Sequence, residues 1–144
     1  MKIVKLLPEQ MPEAMSLLQK NNLPTEDLNG NTKLFGTYED EELIGIAGIE
    51  LYGENALIRS VCVDEAYRSQ GMAEILIEHI EQYARHKDAC NLFLLTTTAE
   101  NYFKRKGFVK IDRNAVPENV QLSTEFSSVC PTSAAVLKKD LCQS

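Results

Sequence analysis

The sequence predicts one mixed α/β (α+β) domain in which helices flank a central, mostly antiparallel sheet. Three observations carry this. Apolar runs of strand length, separated by short polar turns, fill the segment from Lys33 to Val63. A long amphipathic helical pattern from Gly71 to about His86 is followed at once by a buried strand pattern, Asn91 to Leu95. No linker, repeat or shift in composition divides the 144 residues, a length ordinary for a single domain.

Each element has its own local reason. Ile3 to Leu7 is a short apolar run that reads as a first strand. Pro8 suits a first helical turn, and Met11, Ala14, Met15, Leu17 and Leu18 then recur at helical spacing up to about Lys20. Asn21-Asn22 ends that helix, and Pro24 to Leu28 reads as a short second one. Leu34 to Tyr38 and Leu43 to Tyr52 form a hairpin across the acidic turn Glu39-Asp40-Glu41. A turn at Gly53-Glu54-Asn55 leads into Ala56 to Val63, completing a three-strand meander.

After the polar loop Asp64 to Gln70, the helix Gly71–His86 places Met72, Ile75, Leu76, Ile80 and Tyr83 on one arc, the pattern of a helix lying on a sheet. The next strand is parallel to its predecessor if the crossover is right-handed. Thr98 is placed to cap a short helix, Ala99 to Lys106, which Gly107 ends. Phe108 to Ile111 reads as a strand, a loop surrounds Pro117, and Ala134 to Leu141 closes the sheet.

Composition narrows the function. Hydrophobic residues at 44% and charged residues at 25% are globular values. Fifteen basic against twenty-one acidic side chains, a net charge of −6, disfavour nucleic acid as a partner. The first residues are interrupted by Lys5 and stopped by Pro8, so they lack a signal-peptide core, and no apolar stretch approaches the length of a membrane span. Cys62, Cys90, Cys130 and Cys142 contain no C-x-x-C pair and match no zinc template, so no metal is expected. They read as reduced thiols, and the expected location is the cytoplasm.

The chemistry lies in Leu57 to Ala73. A strand ends at Val61-Cys62-Val63, a polar loop turns, and a helix starts on Arg68-x-x-Gly71-x-Ala73. First-turn N–H groups lack helical partners and share the positive end of the helix dipole. Glycine at 71 and alanine at 73 remove bulk where an anion must approach the backbone. Gly71 and Ala73 therefore read as a diphosphate cradle with Arg68 as a cation at its rim, and Ser69, Gln70 and Met72 belong to the same turn. Taken alone, the triplet reads equally as an ordinary strand–loop–helix connection, which needs only one glycine.

R-x-x-G-x-A after a V-x-V strand resembles the acyl-coenzyme A binding motif of the GNAT superfamily of N-acetyltransferases. Ala99-Glu100-Asn101-Tyr102-Phe103-Lys104-Arg105-Lys106-Gly107-Phe108 is similar to that superfamily's A-x-x-x-(Y/F)-x-x-x-G-F helix and strand. A narrower resemblance rests on Leu94 to Glu100, Val116-Pro117-Glu118 and Cys130-Pro131-x-Ser133-Ala134. These look like the arsenic-resistance N-acetyltransferase group, itself similar to bacterial amino-acid (glutamate) N-acetyltransferases.

The resemblance implies a single N-acetyltransferase domain over residues 1–144, acetyl-CoA as co-substrate and a small-molecule amine as acceptor. It also implies no nucleic-acid or membrane partner, and a homodimer as an expected form. Pantetheine would lie along Val61, Cys62 and Val63, with the Val61 backbone N–H facing the thioester oxygen. The superfamily's tyrosine acid is replaced by Phe103, which would pack on the pantetheine. A thiol with a pKa near ~8.5 leaves as thiolate with little help from an acid. Glu50, ending an apolar strand, is a candidate general base or the ion-pair partner of Arg59. Arg59 is the candidate anchor for an acceptor carboxylate, placed by strand alternation on the face of Val61. Two alternatives stay open: acetylation of a protein or peptide amine, and a non-catalytic acyl-CoA-binding module.

Overall fold

The computed structural model describes residues 2–21, 32–68, 70–96, 99–121 and 134–142. Seven strands form one sheet in the order β1-β2-β3-β4-β5-β7-β6, with helices on its faces and one parallel pair, β4 with β5. They are β1 Ile3–Lys5, β2 Thr32–Glu39, β3 Glu42–Tyr52, β4 Asn55–Val63, β5 Asn91–Thr96, β6 Val109–Ile111 and β7 Ala135–Asp140. The helices are α1 Met11–Lys20, α2 Met72–His86, α3 Glu100–Arg105 and α4 Glu118–Gln121. By contact density the chain divides into two compact units.

The first unit comprises Met1–Glu50 with Ile58–Tyr83. Its β1, β2 and β3 are antiparallel, with Val4 opposite Gly36 and Phe35 opposite Ala47. The hairpin turns at Asp40 and Glu41, both at positive φ, +49° and +68°. Such primed turns match strand twist, and a short carboxylate side chain at Asp40 tolerates the left-handed region. Leu6, Ala14, Leu17, Leu18, Leu34, Leu43, Ile46 and Cys62 form its apolar cluster. On α2, Leu76 and Ile80 are fully buried. Gly45 of β3 lets that helix come close, since a Cβ there would lie 3.1 Å from Leu76 and 3.3 Å from the Met72 sulfur.

The second unit comprises Leu51–Leu57 with Ala84–Ser144. The start of β4 pairs in parallel with β5, from Asn55 opposite Asn91 to Leu57 opposite Phe93. β7 lies between β5 and β6, antiparallel to both. Leu57, Phe93, Val116, Val120 and Val136 make its core. α3 ends at Gly107, φ +99°, whose neighbour Phe108 donates its N–H to the Phe103 carbonyl at 3.1 Å.

The structure corrects several expectations. Cys90 and Cys142 are not reduced thiols: they form a disulfide, their Cα atoms 4.8 Å apart. Asn91 pairs with Asp140, so the residues flanking these strand ends are neighbours in space although 52 apart in sequence. That proximity needs the pairing of β5 with β7, which cysteine spacing does not encode. Ile75 is 41% exposed while Ile77 is buried, so the buried arc of α2 is rotated from the expected one. The loop after Pro117 contains α4, whose Val120 fills the second core. The first strand ends at Lys5, two residues early, and Pro8 opens a separate 3-10 turn, Pro8–Gln10, before α1. The proposed helix Pro24–Leu28, the Thr98 cap, Ser69, and Cys130 with the following Pro131 to Ser133 lie outside the described residues.

Candidate active site

The residues expected to meet the donor follow one another where β4 stops. Within this strand Ser60 takes φ +59°, a left-handed residue that breaks the two-residue alternation of side chains. Alternation therefore does not place Arg59 and Val61 on one face, contrary to the expectation from spacing. Val61 is half-buried, and Cys62 and Val63 are buried. The Cys62 sulfur lies 3.8 Å from the Leu17 carbonyl. Burial pushes its thiol up to about 11, so it is a neutral packing group.

Asp64 then turns the chain. Its carboxylate accepts the Ala66 N–H at 3.0 Å and meets the Lys20 ammonium at 3.6 Å, shaping the 3-10 turn Glu65–Tyr67. Gly71 follows at φ +77°, and its carbonyl accepts the Ile75 N–H at 3.2 Å, opening α2. The N–H groups of Met72, Ala73 and Glu74 thus precede the first helical hydrogen bond. A Cβ built on Gly71 meets nothing within 4 Å, so the space above this turn is open. Positive φ, an open approach and the start of a 15-residue helix fit the diphosphate of coenzyme A. Gln70 is exposed and Ala73 half-buried beside it.

Arg68 does more than stand at the rim. Its Nε donates to the Val63 carbonyl at 3.1 Å, and its Nη2 donates to Oδ1 of Asn21, the residue that caps α1.

Glu50 and Arg59 are brought together as a buried ion pair. Arg59 Nη1 donates to Glu50 Oε2 at 3.0 Å, with the two side chains 1% and 2% exposed. Thr32 Oγ1 donates to the same carboxylate oxygen at 2.9 Å, and Arg59 Nε donates to Ser60 Oγ at 3.0 Å. An unpaired charge at such a place would be costly, which explains the density of partners.

In the second unit, Phe103 is buried with its ring edge-on to Tyr102 and Phe108, at centroid distances of 5.2 and 5.5 Å. Tyr102 is half-buried, with the Lys106 ammonium 5.7 Å from its ring centre. His79 packs on the Phe35 ring, with the ring centres 5.0 Å apart. Among the described residues no cluster of three metal-ligating side chains occurs, and no described helix is long and apolar enough to cross a membrane.

Sequence reasoning missed three participants. Asn21 was legible as a helix end but not as the partner of Arg68. Thr32 reaches Glu50 only through the register that sets the two opposite each other. Ser60 carries no local signal for positive φ.

These features are those of an acyl-CoA-dependent acyltransferase domain, and the Acetyltransferase (GNAT) family profile matches residues 3–108. The chain belongs to that family. It is 31% identical over 89 residues to the amino-acid acetyltransferase of Escherichia fergusonii, a match covering 60% of this chain and 20% of that protein. Its fold is that of N-acetylglutamate synthase from Neisseria gonorrhoeae, solved with coenzyme A and N-acetyl-glutamate. There the TM-score is 0.80 at 18% identity, over 99% of this chain and 35% of that one. The ribosomal-protein-S18-alanine N-acetyltransferase of Escherichia coli shares the fold too, with TM-score 0.76 at 16% identity, over 99% and 95% of the two chains. The chain thus spans about a fifth of the curated relative and about a third of the synthase.

Proposed function

We propose that this protein is a cytoplasmic acetyltransferase that moves the acetyl group of acetyl-CoA to the amine of a small amino-acid-like acceptor. The observation that carries the reading is the turn from Val63 through Gly71 into α2, an anion cradle directly after a strand that ends in V-x-V. Family membership and the likeness to amino-acid acetyltransferases support it.

In this reading the N–H groups of Met72 and Ala73, with Ser69, Gln70 and Gly71, hold the diphosphate, and Arg68 adds a cation. The backbone of Val61, Cys62 and Val63 pairs with pantetheine like an added strand. The Val61 N–H stabilises the oxygen as the amine nitrogen bonds to the thioester carbon. The C–S bond then breaks, the sulfur leaves as thiolate, and the ammonium proton passes to a base. Glu50, directly or through a water, is the assigned base, and Arg59 the assigned anchor for an acceptor carboxylate. Both assignments require the closed Glu50–Arg59 pair to rearrange around the acceptor. A homodimer is the proposed assembly.

That closed pair favours one second reading. With Arg59 already neutralised by Glu50, an acceptor lacking a carboxylate, such as a peptide α-amine, is the alternative. Thiol release from acetyl-CoA, measured across amino acids, polyamines and short peptides, decides between them. Turnover with free amino acids and none with peptides is expected. Turnover with peptides alone would replace the first reading by the second, and coenzyme A binding without turnover would leave a binding module.

A further inference from the structure

Arg68 is exposed, yet its guanidinium is held at two edges: by the last carbonyl of β4 through Nε, and by Asn21 through Nη2. Exposed arginines ordinarily keep their rotamer freedom, and fixing one costs conformational entropy that specific hydrogen bonds must offset. The Asn21 end is itself fixed. Its Nδ2 donates to the Leu17 carbonyl at 2.9 Å, and its backbone N–H donates to the Leu18 carbonyl at 3.1 Å. The side-chain amide is thereby oriented by the last turn of α1, and Oδ1 is presented outward. A second tie, Lys20 to Asp64, runs alongside, between the same helix end and the same loop.

We infer that Asn21 is a positioning residue for donor binding: acting through Arg68, the end of α1 braces the turn that receives the diphosphate. The inference rests on the reading of that turn as the coenzyme A site. It concerns a residue 47 positions before Arg68 and outside the binding motif. A planar guanidinium can bridge the Val63 carbonyl and Asn21 at once, whereas an ammonium on a flexible stem cannot reproduce that fork. Arg68 therefore serves as a strut as well as a cation, and its aim is set from α1.

Calorimetric titration with coenzyme A tests this. Asn21→Ala should weaken binding about tenfold, the scale of losing a hydrogen bond to a charged group. Asn21→Asp, which keeps the acceptor for Arg68, should restore affinity to within about threefold of wild type, whereas a purely structural cap would not be rescued by a variant that loses the Leu17 bond. In Asn21→Ala/Arg68→Ala, binding should be no weaker than in Arg68→Ala alone, because both changes remove one interaction. Arg68→Lys keeps the charge but loses the fork, so it should bind more weakly than wild type and more tightly than Arg68→Ala. Adding Asn21→Ala to Arg68→Lys should weaken binding no further, and this arm decides the matter if Asn21→Ala alone does not fold. Wild-type affinity in Asn21→Ala or in Arg68→Lys, or losses that multiply in either double variant, would overturn the inference. A wild-type protein that binds no coenzyme A would instead overturn the donor site itself.

Discussion

Gly71 is the residue on which the proposed donor site can be tested most directly. An alanine there costs about 1–2 kcal/mol, because φ of +77° is left-handed, but its methyl meets no protein atom within 4 Å. Gly71→Ala should therefore fold with slightly lowered stability while losing ten- to a hundredfold, roughly, in coenzyme A affinity as the methyl displaces the phosphate from the backbone. Unchanged affinity in a folded Gly71→Ala would remove the cradle. The Glu50–Arg59 pair makes the opposite prediction. Truncating one side of a buried pair costs about 3–5 kcal/mol, so Glu50→Gln and Arg59→Met should each lower Tm on the order of 10 °C. A steep rise in acceptor KM for Arg59→Met, beyond the rise for Glu50→Gln, is what a carboxylate anchor adds to that structural loss. Cys62 supplies a pH dependence. Its folded pKa is raised by burial, so the protonated thiol stabilises the fold fully below about pH 9, and this contribution is lost as pH rises toward about 11. The same burial protects it from alkylating reagents at neutral pH, and rapid labelling of Cys62 in native protein would contradict its packing.

At the scale of elements, β7 shows how a strand can be held from outside its ladder. It pairs with β5 and β6 on its two sides, and the disulfide ties Cys142, two residues beyond its end, to Cys90, the residue just before β5. The Leu141 N–H donates to the Cys90 carbonyl at 2.8 Å beside that link. For a cross-link spanning 52 residues the chain-entropy estimate is about 4 kcal/mol. Cys142→Ser, or reduction with a dithiol, should lower the denaturation midpoint accordingly. Alkylation before reduction should leave both sulfurs unmodified by mass, and two readily labelled thiols at these positions would refute the bridge. The α2 boundaries and the hairpin were legible because hydrophobic period and turn residues are local signals. The buried arc of α2 was read only approximately, since Ile75 and Ile77 are equally apolar and burial is decided by what packs opposite.

For the whole molecule, ligand linkage gives the broadest test. A ligand that binds only the native state adds about 2.7 kcal/mol at a hundredfold excess over Kd. Coenzyme A should then raise Tm by roughly 6–10 °C, and Gly71→Ala should abolish most of that rise. The family, the three-strand meander and the glycine turn into α2 were readable beforehand, because a glycine at a helix start and alternating apolar runs report backbone needs within a few residues. The sequence by itself determined the meander, the glycine turn that opens α2 and the helix over the sheet. Only tertiary structure decided that Cys90 meets Cys142, that Glu50 is closed by Arg59 and Thr32, and that Arg68 reaches back to Asn21. The physical reason is common to all three: each contact joins positions on different elements, and its existence depends on register and packing that no local periodicity encodes.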